Sequence, residues 1–567
     1  MLQIISGKFF KTEDRHKFDG KGITYSNYSW IKPIKTCVAT LEPVDYFSPI
    51  TSYVISYIYQ IEKDHSGLVR VGDAEIIRQF ELLASFALKA YFSENKVDVD
   101  CKCRYIRKSM GGIKSPSLLV RHFFDTPIHG KLEETEHFVN FVQKVIALPR
   151  NRYKVVLRCI YNFVNALQSV DVNLDLSYSI LVYCLESLAQ EFDDFKPGWT
   201  DYDPDIRDKL DSELCKIDID VAKNVRMILS SSQNLKLQQR FLTFVCNHIN
   251  SNYFIKEAEK VENSLKKSEM ERALKNAYSL RSRYVHNLKQ IIRQLEIPHI
   301  ADGDVFHWKN EPYLTINGLV RLTHHVINNF ICQQSYLEHE EYNWKKDLPG
   351  RYEFAVAPKI WIDKHENFDP SMANKRFSGF LQNLEDTISS KGSLTDLDKL
   401  LEKYESLIPN AKKKDKLSML AVYCLYNNLI VQSEKRPNYE KFLSKYENLF
   451  NECCIEMLIV ILLLNQKWQW DIEECVEQYN KYLENKFSKN SLSMPTLIEI
   501  CLIIEIANVY LRNQNINKYE DWLDKACLES AGKPQIQKVI NEGKTKRARI
   551  DYNQFLKPAN EQKEKEN

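Results

Sequence analysis

Glycine is scarce in this chain, with only 16 residues among 567, where an average protein has about 7%. Enzymes that cradle phosphates in Gly-rich loops need glycine at fixed spacings. The sequence contains no such loop and no paired-aspartate metal motif. These absences argue against nucleotidyl- and phosphotransferases. The abundance of Leu, Lys and Glu instead predicts a mainly helical protein.

The chain also lacks an excess of one charge and a long hydrophobic run. Lys and Arg total 78 and Asp and Glu total 76, a net charge of +2. No overall basic field therefore attracts nucleic acid, and any such contact must come from a local patch. The longest apolar run, residues 455–464, contains Glu456 and is about half the length that a bilayer span needs. We interpret it as a buried core helix and expect no membrane partner.

No apolar leader segment opens the sequence, and most of its 14 cysteines lie in apolar runs. Such thiols pack as small hydrophobic groups, so we expect a soluble, reduced, cytoplasmic protein. Cys101 and Cys103 form a C-x-C pair without a second pair at zinc spacing. A short strand with both thiols on one face is the simpler interpretation. The sequence predicts no metal site and no cofactor.

Composition and periodicity divide the chain into five predicted segments. The N-terminal segment is aromatic-rich, with extended-looking pieces at residues 22–41 and 96–106 and a helix after Asp73. The next segment carries apolar stripes at helical spacing, which predicts an antiparallel bundle. Shorter helical units return near the C-terminus without a clean repeated consensus. The predicted segments are an α+β domain with a possible sensor role (1–137), the helical bundle (138–345), an irregular connector (346–372), a helical-repeat-like domain (373–541) and a charged flexible tail (542–567).

One predicted helix carries a group of residues suited to chemistry. Residues 272–295 (RALKNAYSLRSRYVHNLKQIIRQL) place Arg281, Arg283 and His286 together. Arginine presents a charged fork of donors to a phosphate, and histidine exchanges protons near neutral pH. These groups are sufficient to cleave RNA by attack of its own 2′-OH, because one assists proton transfer and another stabilises the developing charge.

Helix geometry limits what one copy of this motif can do. Arg281 and His286 are five residues apart, about 140° around an ideal helix. Arg283 and His286 are three apart and can be neighbours. A site that uses Arg281 with His286 therefore requires a local helix distortion or a second subunit. Asn287 follows and tolerates left-handed geometry, so a break there is plausible.

The string RSRYVHN (residues 281–287) resembles the R-x4-6-H signature of HEPN domains, most closely the subfamily associated with the abortive-infection protein ApeA. Arg281, Ser282 and His286 match the pattern, whereas Asn287 departs from the common Gly. Residues 179–190 (SILVYCLESLAQ) resemble an earlier HEPN helix with an acidic residue in an apolar stripe, here Glu186. Residues 235–249 resemble the intervening helix. The resemblance covers about residues 140–335.

The resemblance implies an antiparallel bundle that dimerises and places two motifs at one cleft. Competent HEPN members are metal-independent endoribonucleases that leave a 2′,3′-cyclic phosphate and a 5′-OH. His286 would be the general acid/base, and Arg281 would position and stabilise the scissile phosphate. Ser282 would orient the site by hydrogen bonding, and Glu186 would hold Arg281 or His286. The expected substrate-binding residues are Arg283 and Asn287.

Such domains recur in antiphage defence, so the resemblance also implies partners: an RNA substrate, a second copy of the chain, and a phage-derived or host protein trigger. Two alternatives stay open. The chain is a non-catalytic sensor or scaffold with a HEPN-like dimer, or RSRYVH is a surface arginine pair beside an exposed histidine. Elsewhere, His324 and His325 favour a role at the edge of the core over metal binding.

Overall fold

The computed structural model describes residues 1–63, 72–103, 116–192, 198–199, 204–230, 237–297, 302–349, 356–366, 368–389 and 393–556. The chain divides into two compact units, Met1–Tyr352 and Glu353–Asn567, each with its own hydrophobic core. The boundary falls inside the predicted connector, and the predicted N-terminal domain and bundle share the first unit. The prediction of a mainly helical protein with a small N-terminal sheet is confirmed.

An antiparallel sheet in the order β3-β4-β5-β1-β6 organises the start of the first unit, and β2 pairs with β7 in parallel. Burial alternates along β5, where Tyr53, Ile55 and Tyr57 face the core, because successive strand side chains point to opposite faces. The strands are β1 (Arg15–Ser26), β2 (Tyr28–Ser29), β3 (Ile34–Lys35), β4 (Thr40–Asp45), β5 (Thr51–Glu62), β6 (Phe92–Ser93) and β7 (Ile128–His129).

The helices of this region are α1 (Leu2–Ile5), α2 (Ala74–Leu88), α3 (Lys96–Cys103) and α4 (Pro116–Leu119). The predicted helix after Asp73 is confirmed as α2. The predicted strand around Cys101 and Cys103 is wrong, since both lie in α3, one exposed and one buried. The Asn95 side chain accepts hydrogen bonds from the first amides of this helix and so favours a helix start over a strand. Residues 104–106 lie outside the described residues.

Most of the remaining first unit is helical, and α7 lies at its centre, in contact with α6, α10, α12 and α13. Leu181, Leu185 and Leu188 of α7 are fully buried, as its apolar stripe predicts. The helices are α5 (Leu132–Ala147), α6 (Arg150–Gln168), α7 (Leu174–Phe192), α8 (Pro204–Leu214), α9 (Ile219–Ser230), α10 (Leu237–Asn247), α11 (Ser251–Phe254), α12 (Lys267–Asn287) and α13 (Ile316–Cys332), with 3-10 turns at Arg293–Glu296 and Trp344–Asp347.

The predicted bundle is not wholly helical. Strands β8 (Val305–Trp308) and β9 (Glu311–Leu314) form a hairpin between α12 and α13. Its two turn residues, Lys309 and Asn310, both have positive φ, at 52° and 63°. A two-residue turn of this kind matches the twist of paired strands, so the chain reverses between the two helices where the sequence pattern predicts no element.

The sheet and the helices share one core. Phe86 of α2 stacks on Phe141 of α5 at 5.4 Å and meets Phe163 of α6 edge-on at 5.2 Å. The Gln79 Oε1 atom of α2 accepts hydrogen bonds from the Leu2 amide and the Tyr153 hydroxyl. Apolar and polar contacts therefore both join the N-terminal region to the helices within this unit.

The second unit is helical in its described residues, and α21 is its central, largely buried helix, in contact with α19, α20 and α22. The apolar run at residues 455–464 forms the buried helix α19, as predicted. The helices are α14 (Ala373–Ile388), α15 (Asp398–Leu407), α16 (Lys413–Leu429), α17 (Tyr439–Ser444), α18 (Glu447–Phe450), α19 (Ile455–Leu463), α20 (Ile472–Asn485), α21 (Thr496–Arg512), α22 (Ile516–Glu529) and α23 (Pro534–Lys546), with 3-10 turns at Pro358–Ile360, Pro370–Met372, Ile408–Asn410, Gln432–Glu434 and Tyr552–Phe555. A repeat architecture for this unit stays a prediction. Among the described helices, none combines the length and the apolarity that crossing a bilayer requires.

The predicted start of the flexible tail, residue 542, is too early in the chain. Residues 542–546 complete α23, and the Ile550 and Tyr552 side chains are buried in the core of the second unit. Asn508 of α21 donates from Nδ2 to the Ile550 carbonyl at 2.9 Å, and its Oδ1 accepts the Ile550 amide at 3.0 Å. These two hydrogen bonds satisfy the backbone amide and carbonyl of Ile550, in a segment that charge composition alone predicts to be exposed to solvent. Residues 557–567 lie outside the described residues.

We predict that Asn508→Ala lowers the free energy of unfolding of the second unit by about 2 kcal/mol, because it leaves buried backbone groups without partners. Urea denaturation followed by circular dichroism measures the change, and limited trypsin digestion should cleave faster after Arg549. Asn513→Ala is the matched control, since Asn513 is exposed at the end of the same helix. Equal trypsin resistance in both variants would contradict a packed tail.

Candidate active site

Helices α7 and α12 pack antiparallel and bring the motif residues next to the acidic helix. Asn173, just before α7, contacts the Tyr284 hydroxyl at 3.4 Å, whereas Glu186, twelve residues into α7, contacts Tyr278 at 3.2 Å. Residue numbers therefore rise along α7 as they fall along α12. This register places the end of α12, where His286 lies, beside the start of α7.

A buried ion pair joins the two helices. The Arg281 Nη2 atom donates to Glu186 Oε2, and the two residues are only 8% and 3% exposed. Of the two partners expected for Glu186, Arg281 and His286, the structure places Arg281 against it. A buried carboxylate without such a partner would be costly, which is why the apolar stripe of α7 tolerates an acidic residue.

Two tyrosines complete the surroundings of this pair. The Arg281 guanidinium lies over the Tyr183 ring, 3.9 Å from its centroid, in the geometry of a cation–π contact. The Tyr278 hydroxyl donates to Glu186 Oε1 at 3.2 Å. Burial and the neighbouring Glu186 carboxylate raise the pKa of Tyr278 to about 12, so the phenol stays protonated and remains a donor. The Arg281 Nε atom is buried and has no hydrogen-bond partner among the described residues.

Sequence reasoning did not find Tyr183 and Tyr278, although spacing carried a signal for both. Tyr183 precedes Glu186 by three residues and Tyr278 precedes Arg281 by three. Side chains three apart on a helix are neighbours. Once Glu186 and Arg281 are expected to meet, a tyrosine one turn before each of them is expected at the same place.

The other motif residues lie on the accessible side of α12. His286, Arg283 and Asn287 are exposed and Ser282 is half-buried. Arg283 donates from Nε to the Ser279 carbonyl at 3.3 Å. Within the described part of the chain, no hydrogen bond or ion pair is formed by the side chain of His286, Ser282 or Asn287. The hydrogen bond expected from Ser282 is therefore not made within one copy.

The helix break lies one residue later than the sequence suggests. Helix α12 continues through Asn287, and Leu288 adopts the left-handed conformation with φ 52°. The Leu288 amide donates to the Tyr284 carbonyl at 2.8 Å and the Lys289 amide to the Arg283 carbonyl at 3.3 Å. These bonds close the helix end in the usual way for a left-handed cap. Because α12 stays regular up to Asn287, it does not turn His286 towards the side of Arg281.

Exposed apolar side chains surround this end of α12. Leu176 and Tyr183 on α7 are 41% and 39% exposed, and Val285 and Leu288 on α12 and its cap are 38% and 78% exposed. The antiparallel register brings the start of α7, with Leu176, to the end of α12, with Val285 and Leu288, whereas Tyr183 lies farther along α7 at Arg281. We call Leu176, Tyr183, Val285 and Leu288 the apolar rim. It adjoins the Arg281–Glu186 pair and the exposed His286.

The other histidine candidates occupy structural positions. His324 stacks on Phe86 at 4.4 Å and its Nε2 lies 3.1 Å from the Phe86 carbonyl oxygen, whereas His325 pairs with Glu257 at 2.8 Å. These contacts agree with the predicted role at the edge of the core. Across the residues that the structure describes, no three His, Cys, Asp or Glu side chains converge as a metal site.

We predict that breaking the buried pair is strongly destabilising. Glu186→Leu leaves the Arg281 charge buried and unpaired, so we expect it to lower the free energy of unfolding of the first unit by about 3–5 kcal/mol. The double variant Glu186→Leu/Arg281→Met removes both charges and should recover most of that loss. Urea denaturation of the four members of this double-mutant cycle measures the coupling.

Glu191→Leu is the matched control, because Glu191 lies on α7 like Glu186 but pairs with Arg158 of α6 at the surface, with both side chains about half exposed. An exposed pair contributes about 1 kcal/mol or less. If Glu186→Leu costs no more than this control, the ion pair does not anchor α12 to α7.

Comparisons with protein-family models, with curated proteins and with solved structures found no match for this chain.

Proposed function

We propose that this protein is a metal-independent endoribonuclease of the HEPN type. The observation that carries the proposal is the arrangement of the R-x4-H string on α12. Arg281 is held by the buried Glu186 of a neighbouring antiparallel helix, and His286 stands free at the accessible helix end. One residue is thereby fixed in place and the other is available to a substrate.

The proposed reaction is attack of an RNA 2′-OH on the adjacent phosphate. His286 acts as general acid/base, taking the 2′-OH proton or giving one to the departing 5′-oxygen. The bond from phosphorus to the 5′-oxygen breaks as the bond to the 2′-oxygen forms, which leaves a 2′,3′-cyclic phosphate and a 5′-OH. The nucleophile belongs to the substrate, so proximity supplies much of the rate enhancement.

We assign Arg283 and Arg281 different roles in binding the phosphate. Arg283 is exposed and three residues from His286, so we assign it the direct contact with the scissile phosphate within one copy. Arg281 is buried and committed to Glu186, so in a single copy it positions α12 rather than touching RNA. Its guanidinium keeps further N–H donors, and we assign these to the charge of the phosphate in the assembled cleft. Ser282 and Asn287 supply polar contacts at the rim of that cleft.

The proposed active species is a homodimer that joins through the apolar rim. The rim exposes four large apolar side chains on the two helices that carry the motif and its acidic partner, and exposed apolar surface can mark interaction sites. A second copy packed there would bring its own His286 and Arg283 to the same place. This arrangement overcomes the angular separation of Arg281 and His286 on a regular helix.

We further propose that the nuclease acts in the cytoplasm in antiphage defence, where cleavage of cellular RNA arrests growth after a phage-derived or host protein trigger is recognised. The 14 cysteines, all within the described ranges, are free thiols, which fits a reducing compartment. The alternative is a non-catalytic sensor or scaffold that binds RNA or a protein partner. The burial of Arg281 in a single copy favours this alternative if no dimer forms.

We predict that induction of the wild-type chain in bacteria slows growth and produces RNA fragments with 2′,3′-cyclic phosphate ends. His286→Ala should remove both effects, with cleavage reduced at least 100-fold, because the general acid/base is lost. Arg283→Ala should reduce cleavage by a similar factor. Sequencing of RNA ends after ligation with a cyclic-phosphate-specific ligase measures the result, and purified protein should cleave equally well in EDTA.

His339→Ala is the matched control, since His339 is also exposed and without a partner among the described residues. Cleavage by His286→Ala at the wild-type rate would refute the catalytic assignment. If the wild type forms dimers but leaves RNA intact even with phage infection as the trigger, the non-catalytic alternative is the correct one.

We predict that the wild type has twice the 66.7 kDa chain mass in solution and that Leu288→Asp and Leu176→Asp make it monomeric. A buried aspartate at either position places an unpaired charge in the interface. Sedimentation equilibrium measures the mass, and cleavage activity should fall in parallel. Ile219→Asp is the control, because Ile219 on α9 is 83% exposed and outside the rim. A dimer that persists in both rim variants would contradict this interface.

A further inference from the structure

A cavity in the first unit lies where the end of α2, the segment before α12 and the helix α13 meet. Its volume is about 300 Å³, and it adjoins a second, more open cavity of about 750 Å³. Lys89, His122, Glu257 and His324 line both. Volumes of this order are typical of small-molecule sites, and none of these residues belongs to the candidate active site on α12.

One part of the cavity wall is apolar. Phe123, Phe163 and Val320 line it, together with the His324 ring. Burial lowers the pKa of His324 well below its ordinary value, so this ring is neutral and its Nε2 donates to the Phe86 carbonyl. The Phe123 and Phe163 side chains are buried and one face of the His324 ring is stacked on Phe86, so these rings give the wall an apolar surface for an apolar group to contact.

The charges around the cavity are paired except for two amines. Arg121 pairs with Asp302, and Arg321 pairs with Asp304 through Nε at 3.0 Å. Glu257 is already bound to His325 at 2.8 Å. Every acidic side chain that lines the smaller cavity therefore has a basic partner.

Lys89 and Lys260 line the same cavity, and within the described part of the chain neither amine has a hydrogen-bond or ion-pair partner. Both side chains are accessible to solvent, and an amine without an ion-pair partner is available to an anion. Burial is the largest effect on Lys89 and lowers the pKa of its amine, and the nearby Glu257 opposes this shift. An anionic ligand would favour the charged form of the amine.

The backbone at Lys89 gives a second, independent sign. Lys89 follows the last residue of α2 and has φ 52°, in the left-handed region. Glycine occupies such helix-end positions without strain, whereas a side chain there costs stability. A strained residue at a cavity wall suggests a function that outweighs the loss of stability. The residue strained here is Lys89, whose amine has no hydrogen-bond or ion-pair partner among the described residues.

We propose that this cavity binds a small organic anion with a flat apolar body, of the class of a nucleoside monophosphate, and that Lys89 and Lys260 hold its anionic group. The planar body would stack against Phe123, Phe163 and His324. The paired arginines keep the walls rigid rather than contacting the anion directly. This site is separate from the proposed nuclease function and does not depend on it.

The experiment is isothermal titration of the full chain with AMP and with CMP, without RNA. The wild type should bind at least one nucleotide in the micromolar to low millimolar range, and the corresponding nucleoside at least tenfold more weakly. Lys89→Gly should reduce affinity at least tenfold while raising the thermal midpoint of the first unit, because Gly relieves the left-handed strain. Lys309→Gly is the matched control, since Lys309 has the same φ of 52° in the exposed β8–β9 turn. It should raise stability without changing affinity.

A second measurement uses the wild type alone, in case a variant does not fold. Acetylation by an N-hydroxysuccinimide ester, mapped by mass spectrometry, should modify Lys89 and Lys260 less in the presence of AMP or CMP, with Lys309 unaffected. The proposal is overturned if neither nucleotide binds the wild type at 5 mM, if Lys89→Gly binds as tightly as the wild type, or if neither nucleotide protects Lys89. Because no RNA is used, these outcomes are independent of ribonuclease activity.

Discussion

The buried ion pair between Arg281 and Glu186 fixes the geometry on which the candidate site depends. A buried charge without a partner is costly, so Arg281 and Glu186 stabilise each other. The observed register of α7 against α12 brings them together, with Tyr183 and Tyr278 around them. Buried ionic groups are best attested as determinants of register. Here the register places the end of α12, and therefore His286, beside the start of α7 and within the apolar rim.

The same pair keeps Arg281 away from the accessible side of α12, where His286 and Arg283 lie. Arg281 is occupied inside the subunit, and the regular helix keeps His286 away from its side. Each copy thus exposes His286 and Arg283 but keeps Arg281 buried against Glu186. Burial of the rim against a second copy would exclude water and strengthen electrostatic contacts with a phosphate. The proposed function therefore assigns structural anchoring to Arg281 and catalysis to His286, five positions further along the chain.

Local patterns predicted the parts of this arrangement that depend on local physics. Apolar spacing predicts α7 and α12, and the cost of an unpaired carboxylate predicts that Glu186 meets Arg281 once the two helices are neighbours. The helix at Lys96–Cys103 was missed because its start depends on the Asn95 side chain rather than on the alternating pattern that follows. The cavity around Lys89 could not be predicted, since its residues come from six separated stretches of sequence and no single stretch has an unusual pattern.

Because glycine is scarce in this chain, its left-handed backbone positions have to be interpreted one by one. Left-handed positions here are often filled by other residues, among them Lys89, Leu288 and Lys309. At Lys309 the two-residue hairpin itself demands positive φ, so the strain needs no further explanation. At Leu288 the strain ends α12 just after His286 and exposes an apolar side chain at the rim. At Lys89 a helix end would accept glycine equally well, and what lysine adds there is an amine inside a cavity. Of these three positions, the left-handed conformation therefore suggests a binding function only at Lys89, where it places an amine that the fold does not use at a cavity.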